Sequence, residues 1–113
     1  MHPDEVCWVD FPHRGGHQQA GRRPSIVLQD DSFASNSPMV LVIPLTSRAA
    51  VTRYPSVVFV PRDPAYGLAS DSYALVFQYG ATDRSRVGAK LGDVSPAILA
   101  HHYEALDKLT GHP

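Results

Sequence analysis

Hydrophobic and polar positions divide the chain into several short apolar segments followed by one segment with helical periodicity. Each apolar segment is rich in β-branched and aromatic residues and is bounded by proline, glycine or polar residues, a pattern typical of β-strands. The pattern predicts strands over 5–11, 24–29, 39–45, 54–61 and 72–79, with a shorter sixth over 86–94. The run MVLVIPL, 39–45, is nearly continuously apolar, which predicts a central strand buried on both faces.

The last residues have the pattern of a single amphipathic helix. Ser95 is a suitable N-cap, Pro96 suits the first helical position, and Gly111 is a suitable stop. One face of this helix carries the predicted packing residues Ile98, Leu99, His102, Leu106 and Leu109. Short strands followed by one helix predict a mainly β fold with a C-terminal helix, in the form of a small SH3-like β-barrel. At 113 residues we expect one domain, 1–113.

Composition and charge exclude several classes of protein. The formal net charge is −1, which gives no indication of nucleic-acid binding. No apolar run approaches the ~20 residues that span a bilayer, and the N-terminus lacks a signal-peptide pattern, so we expect a cytoplasmic protein. The single cysteine, Cys7, excludes an internal disulfide and is expected to be a buried thiol. Adjacent His101 and His102 cannot share an ion on a helix, and we expect neither a metal nor another cofactor.

Two polar positions at the predicted sheet edge are the strongest candidates for chemistry. Arg23 lies where a predicted mobile loop, 12–22, meets a strand, and Pro24 fixes the backbone beside it. Thr46 and Ser47 follow the buried run that contains Pro44. If the second and third strands pair antiparallel through the connector 30–38, Arg23 and Thr46 become neighbours. A guanidinium beside a hydroxyl can hold a phosphate, although a surface ion pair and a turn cap would explain the same residues.

Several ordered motifs resemble the MazF/PemK family of toxins from type II toxin–antitoxin modules. The matching segments span nearly the whole chain and include a strand containing Gln78; they are WVDF at 8–11, GHQQAGRRP at 16–24, PLTS at 44–47, DRSRVG at 83–88 and GDVSPAIL at 92–99. The resemblance implies an SH3-like barrel, a homodimer and a metal-independent endoribonuclease specific for sequences in single-stranded RNA. It implies attack by the ribose 2′-hydroxyl, which leaves a 2′,3′-cyclic phosphate and a 5′-hydroxyl.

The resemblance also assigns roles to individual residues. Its functional arginine and threonine match Arg23 and Thr46, which are expected to bind the scissile phosphate and to orient the reacting groups. The remaining predicted substrate-binding residues are Arg14, His17, Gln18 and Gln19 in the loop, Ser47, Gln78, and Arg84 and Arg86 for flanking phosphates. For Arg84 and Arg86, simple solvation at the surface is an equally good explanation.

Two segments of the chain differ from the family pattern. Gln18 stands where many members carry glutamate, and an amide cannot act as a general base, so His17 is one alternative proton acceptor. The fifth predicted strand reads Phe77-Gln78 with Gly80 instead of Asp-Gln followed by a basic residue, which is expected to alter base preference. A member that binds RNA but cleaves it weakly is therefore an alternative hypothesis.

A second alternative is a non-enzymatic toxin like the related CcdB proteins, which poison gyrase. Those proteins use a C-terminal aromatic residue, whereas this chain has no aromatic residue after Tyr103. The main hypothesis implies two partners, single-stranded RNA and a MazE-like antitoxin whose disordered acidic C-terminal segment occupies the RNA groove. No membrane partner is expected.

Overall fold

A computed structural model describes residues 3–12, 21–29, 37–54 and 56–112. The described part of the chain contains seven strands, short 3-10 turns and one long helix. The strands are β1 (Glu5–Phe11), β2 (Gly21–Val27), β3 (Met39–Thr46), β4 (Val57–Val60), β5 (Ser72–Leu75), β6 (Gly80–Asp83) and β7 (Val87–Asp93), and the helix is α1 (Pro96–Thr110). The predicted mainly β fold with a C-terminal helix is confirmed. No helix among the described residues is both long and apolar enough to cross a bilayer.

Strand β3 is the centre of the antiparallel sheet. The strand order is β4-β5-β3-β2-β1-β7, and β6 also pairs with β3. β2 follows one edge of β3, whereas β6 and β5 divide the other edge, β6 beside Met39–Val42 and β5 beside Leu45 and Thr46. Three partner strands therefore fix the position of β3 along its whole length.

The sheet has an apolar cluster on each face, as the alternation of side chains along a strand requires. One cluster contains Val40 and Val42 of β3 together with buried residues of β1 and β2. The other contains Ile43 and Leu45 and packs against α1. Burial of β3 on both faces is confirmed, except at its first residue, Met39, whose side chain is 40% exposed. The prediction of a buried Cys7 is also confirmed, and burial raises the pKa of its thiol.

Three predicted strands had wrong bounds, and a further strand was not predicted. The predicted strand 54–61 is shorter, because β4 covers only Val57–Val60. β2 begins at Gly21 instead of residue 24, because Asp10 and Phe11 of β1 pair with Arg22 and Gly21. The predicted strand 72–79 ends at Leu75. The 3-10 turn Val76–Gln78 follows, which changes the direction of the chain and buries Val76 in the core. The segment Gly80–Asp83 then returns to β3 as β6, although its glycine and aspartate read as turn residues.

The predicted ends of α1 are confirmed. The Ser95 hydroxyl accepts a hydrogen bond from the Ile98 N–H at 3.2 Å, and Gly111 ends the helix in a left-handed conformation with φ of 75°. The predicted packing of Leu109 was wrong, because its side chain is 38% exposed and lies outside the apolar cluster that Ile98, Leu99 and Leu106 pack against. The predicted packing of His102 is confirmed, since its side chain is completely buried.

Candidate active site

The register of β2 and β3 brings Arg23 and Thr46 together. Ser25 pairs with Pro44, and the antiparallel ladder continues inward through Ile26 and Val27. The hydrogen-bonded pairs end at Ser25 and Pro44, and continuing the same register outward by two residues sets Arg23 opposite Thr46. Both side chains line one cleft of about 330 Å³. The predicted juxtaposition is therefore present, and it arises from hairpin-like pairing of two strands that are separated in sequence by the connector.

Both residues are mounted on paired strands. Arg23 is half-buried and pairs with Val9 of β1, so β2 is held on this side as well. Thr46 is only 3% exposed and pairs with Tyr73 of β5. The Thr46 hydroxyl accepts a hydrogen bond from the Arg48 N–H at 3.3 Å, which orients the oxygen. Because that bond uses an acceptor position of the hydroxyl, its proton can be donated to a ligand in the cleft.

The walls of the cleft come from five separate parts of the chain. Ser47, one of the predicted binding residues, is exposed and lines the cleft beside Thr46. Sequence reasoning gave no role to Trp8, Ser70 or Ser72, which also line it; the remaining lining residues are Arg22, Pro24, Leu45, Gly67, Leu68, Ala69 and Leu91. The Ser72 hydroxyl donates to the Ser70 carbonyl at 3.1 Å, so it is engaged locally. Only the position of Trp8 in the motif WVDF was a signal that could have singled it out.

The wall formed by Leu68 and Leu91 depends on a close packing of backbone against backbone. The 3-10 turn Pro64–Tyr66 lies directly on β7, and a Cβ at Gly92 would collide with the Ala65 carbonyl and the Tyr66 backbone. Gly67 ends that turn with φ of 71°, and a Cβ there would collide with Leu91. Glycine is therefore required at both positions for this side of the cleft to form.

A second groove adjoins the first and shares Trp8 and Arg22 with it. This groove, of about 640 Å³, is lined by Trp8, Asp10, Arg22, Ser85, Arg86, Val87 and Gly88. The Arg22 guanidinium lies over the Trp8 ring, 4.8 Å from its centroid, which is a cation–π arrangement. Arg86 thus lies in an open, cationic groove beside the Arg23 cleft, as expected for a residue that contacts a flanking phosphate.

Two other predicted binding residues, Arg84 and Gln78, line neither of these two clefts. The Arg84 Nε donates to the Ser37 carbonyl at 3.0 Å, and its Nη2 is buried without a hydrogen-bond partner among the described residues. Gln78 is half-buried in the 3-10 turn after β5 and lines neither cleft. Arg14, His17, Gln18 and Gln19 lie outside the described residues. Within residues 3–12, 21–29, 37–54 and 56–112, no group of three His, Cys, Asp or Glu side chains is arranged to hold a metal ion.

Comparisons with known proteins agree over almost the entire chain. A family model described as PemK-like, MazF-like toxin of type II toxin–antitoxin systems matches residues 2–110. Endoribonuclease MazF2 of Mycobacterium bovis is 32% identical over 101 residues, covering 88% of this chain and 87% of that protein. The crystal structure of MazF from Deinococcus radiodurans is 28% identical with a TM-score of 0.84, covering 98% of this chain and 96% of that one.

A crystal structure of a MazE–MazF complex from Deinococcus radiodurans is also similar. Its matching chain is 28% identical with a TM-score of 0.79, covering all of this chain and 97% of that one. The matched family model spans all the motifs quoted above, from WVDF at 8–11 to GDVSPAIL at 92–99. The chain belongs to the PemK-like, MazF-like toxin family of type II toxin–antitoxin systems.

Proposed function

We propose that this protein is an endoribonuclease toxin that cleaves single-stranded RNA, with messenger RNA as its substrate, without a metal ion. The observation that carries the proposal is the single cleft in which Arg23 lies opposite Thr46. Family membership and relatives such as endoribonuclease MazF2 of Mycobacterium bovis support the same activity. The non-enzymatic, gyrase-directed alternative has no comparable observation in its favour.

In the proposed mechanism, Arg23 binds the scissile phosphate. The ribose 2′-oxygen attacks phosphorus, the bond from phosphorus to the 5′-oxygen breaks, and the products carry a 2′,3′-cyclic phosphate and a 5′-hydroxyl. Negative charge builds up on the nonbridging oxygens of the pentacoordinate transition state, and a guanidinium mounted on a paired strand stabilises that charge without moving. The Thr46 hydroxyl, oriented by the Arg48 N–H, donates a hydrogen bond to one of those oxygens.

The proton acceptor in this mechanism is a group other than residue 18. Gln18 occupies the position at which many members of the family carry a glutamate, and its amide cannot take the 2′-hydroxyl proton. A guanidinium group is not deprotonated in proteins, so an arginine does not serve as a base. We propose His17 for this role, because imidazole exchanges protons near neutral pH.

The substrate is single-stranded because the attacking 2′-oxygen must come into line with the leaving 5′-oxygen. Stacking in A-form RNA opposes that rotation, and unpaired bases also expose the edges by which a sequence is recognised. The two adjoining clefts offer a continuous surface for such a strand, with Arg23 and Thr46 in one and Arg86 in the other. Ser47 is proposed to bind the strand next to Thr46.

The same surface is proposed to bind an antitoxin. One chain of a solved MazE–MazF complex from Deinococcus radiodurans matches this chain over 97% of its length, and an acidic, disordered segment suits a groove that contains arginines. We further propose that a single domain, 1–113, acts in the cytoplasm as a homodimer, where RNA and antitoxin are available.

The test is cleavage of a long single-stranded RNA in EDTA, with Arg23→Ala as the matched variant. We expect the wild-type chain to produce fragments with 5′-hydroxyl ends, and Arg23→Ala to produce none at the same concentration. Mapping the ends in a complex RNA pool would give the recognised sequence. Cleavage that requires a divalent metal, or that persists in Arg23→Ala, would contradict the proposal. Binding of RNA without cleavage would favour the catalytically weakened alternative. In that case Gln18→Glu should restore cleavage.

A further inference from the structure

The groove beside the Arg23 cleft contains an aromatic ring and a carboxylate on the same side of β1. Trp8 and Asp10 are two residues apart on this strand, so their side chains project to the same face. Asp10 pairs with Arg22 of β2, and the Arg22 guanidinium covers the Trp8 ring at 4.8 Å. Gly88 of β7 lines the same groove, and an added Cβ there would sit 3.5 Å from the Trp8 Cβ, in ordinary van der Waals contact.

The Asp10 carboxylate is unexpected in a groove that binds phosphates. It is exposed, and within the described part of the chain no ion pair joins it to another side chain. A carboxylate next to Arg22 and Arg86 weakens the attraction of the groove for a phosphate chain. Its position is therefore better explained by recognition of a hydrogen-bond donor than by attraction of the RNA backbone.

The chemistry of the four bases identifies the best donor. Guanine presents two neighbouring donors on its Watson–Crick edge, N1–H and the N2 amino group, and one carboxylate can accept both at once. Adenine and cytosine offer a single amino group on that edge, and uracil offers one N–H between two carbonyl oxygens that a carboxylate repels. An aromatic ring beside the carboxylate stacks on any base and does not discriminate by itself.

We propose that Trp8 and Asp10 form a guanine-binding subsite, in which the base stacks at Trp8 and its Watson–Crick edge donates to the Asp10 carboxylate. The proposal rests on the function proposed above, because it assigns the groove to RNA. It places one guanosine of the recognised sequence within a nucleotide or two of the scissile phosphate at Arg23, since the two clefts share Trp8 and Arg22.

The test uses RNA pentamers that cannot be cleaved, so that binding is measured separately from catalysis. The probes are fluorescently labelled 2′-O-methyl oligonucleotides UUGUU, UUIUU, UUAUU and UUUUU, where I is inosine, which keeps N1–H and lacks the amino group. Fluorescence anisotropy with the full wild-type chain is expected to show the highest affinity for UUGUU and a lower affinity for UUIUU. The affinities for UUAUU and UUUUU should be the lowest. Each lost hydrogen bond to the carboxylate should weaken binding by about tenfold.

The variant Asp10→Asn keeps the shape of the side chain and removes the charge. We expect it to weaken binding of UUGUU by about tenfold or more and to leave binding of UUUUU unchanged or stronger. Glu104→Gln is the matched control, because it removes one exposed carboxylate from α1, outside both clefts. Because Trp8 is the only tryptophan, its fluorescence should change on addition of UUGUU.

The inference is wrong if the wild-type chain binds UUGUU and UUAUU equally, or if Trp8 fluorescence does not respond to UUGUU. It is also wrong if Asp10→Asn weakens all four oligonucleotides to the same degree, since Asp10 would then act only by positioning Arg22. The wild-type order of affinities tests the proposal even if the variant fails to fold. A chain that prefers UUGUU and cleaves no RNA would contradict the proposed function alone; cleavage without guanosine preference would contradict this subsite alone.

Discussion

Arg23 and Arg84 lie near opposite ends of β3 and show two different uses of the same side chain. Arg23 faces Thr46 at the last residue of β3 and lines the cleft. Arg84 directly follows the residue that pairs with Met39 at the first residue of β3. Its backbone N–H donates to the Pro38 carbonyl at 2.8 Å and its Nε donates to the Ser37 carbonyl, so both groups hold the chain that enters β3.

The difference between these ends is determined by what the sheet places opposite each arginine. At the Arg23 end, the neighbouring strand ends in a hydroxyl at the wall of an open cleft, where a guanidinium can meet a ligand. At the Arg84 end, the neighbours are backbone carbonyls that need donors. Arginine content therefore does not identify a phosphate site, whereas the register of the strand that carries the arginine does.

The largest expected effect is on catalysis and comes from Arg23→Lys. Lysine keeps the positive charge but cannot hold two phosphate oxygens with a planar fork of donors. We expect the single-turnover rate of RNA cleavage in EDTA to fall by about 10²- to 10³-fold, comparable to the loss of one transition-state donor. The free energy of unfolding, measured with urea, should change by less than about 1 kcal/mol. A fully active Arg23→Lys chain would show that charge alone is sufficient at this end of β3.

A smaller effect is expected from Thr46→Val, which keeps the shape of the side chain and removes the hydroxyl. The cleavage rate should fall by about 10- to 100-fold, because one hydrogen bond to the transition state is lost. Thr46→Ser, the matched control, should keep the rate within about fivefold of wild type, since its hydroxyl can still accept from the Arg48 N–H and donate to the phosphate. Equal rates for the valine and serine variants would exclude the hydroxyl from the mechanism.

The sequence predicts those cleft residues whose positions follow from local patterns of strands and turns. Arg23 and Thr46 were found because alternation and turn residues located β2 and β3, and antiparallel pairing alone then makes their ends neighbours. Trp8 and Ser72 were not found as cleft residues, because they reach it through the pairing of β1 with β2 and of β5 with β3. Which strands pair, and in which register, has no local sequence pattern.

The errors in the predicted strands also come from contacts between distant parts of the chain. The apolar run 72–79 reads as one strand, but the core accepts Val76 only through the 3-10 turn Val76–Gln78. Gly80–Asp83 pairs with β3 despite poor strand propensity, because the tertiary context of a central strand outweighs local preference. Arg84 and Arg86 are two residues apart and look equivalent in sequence, yet of the two only Arg86 lines the groove beside the Arg23 cleft.

The structural role of Arg84 predicts an effect on stability and little effect on activity. Arg84→Met removes the hydrogen bond to the Ser37 carbonyl and should lower the free energy of unfolding by about 1–2 kcal/mol in urea denaturation. The cleavage rate under conditions where the variant stays folded should remain within about twofold of wild type. Arg86→Met is the matched control and should show the opposite result, with stability within about 0.5 kcal/mol of wild type and weaker RNA binding at low salt. A large loss of cleavage in Arg84→Met with unchanged stability would place both ends of β3 in the active site.

The smallest expected effect concerns His102, a polar side chain that is buried completely on the α1 side of the sheet. Its Nδ1 lies 2.7 Å from the Ile98 carbonyl, its Nε2 has no hydrogen-bond partner in the described part of the chain, and burial lowers its pKa. As the pH falls below about 6.5, the ordinary value for histidine, the unfolded chain takes up a proton that the folded chain excludes, so the folded state loses stability. Between pH 7 and pH 5.5, the free energy of unfolding should fall less steeply with pH in His102→Leu than in the wild type. The difference in slope should be up to about 1.4 kcal/mol per pH unit. If the wild type and His102→Leu show the same pH dependence, His102 takes up its proton as readily in the folded chain as in the unfolded chain. Burial on the α1 side of the sheet would then not exclude the charged form.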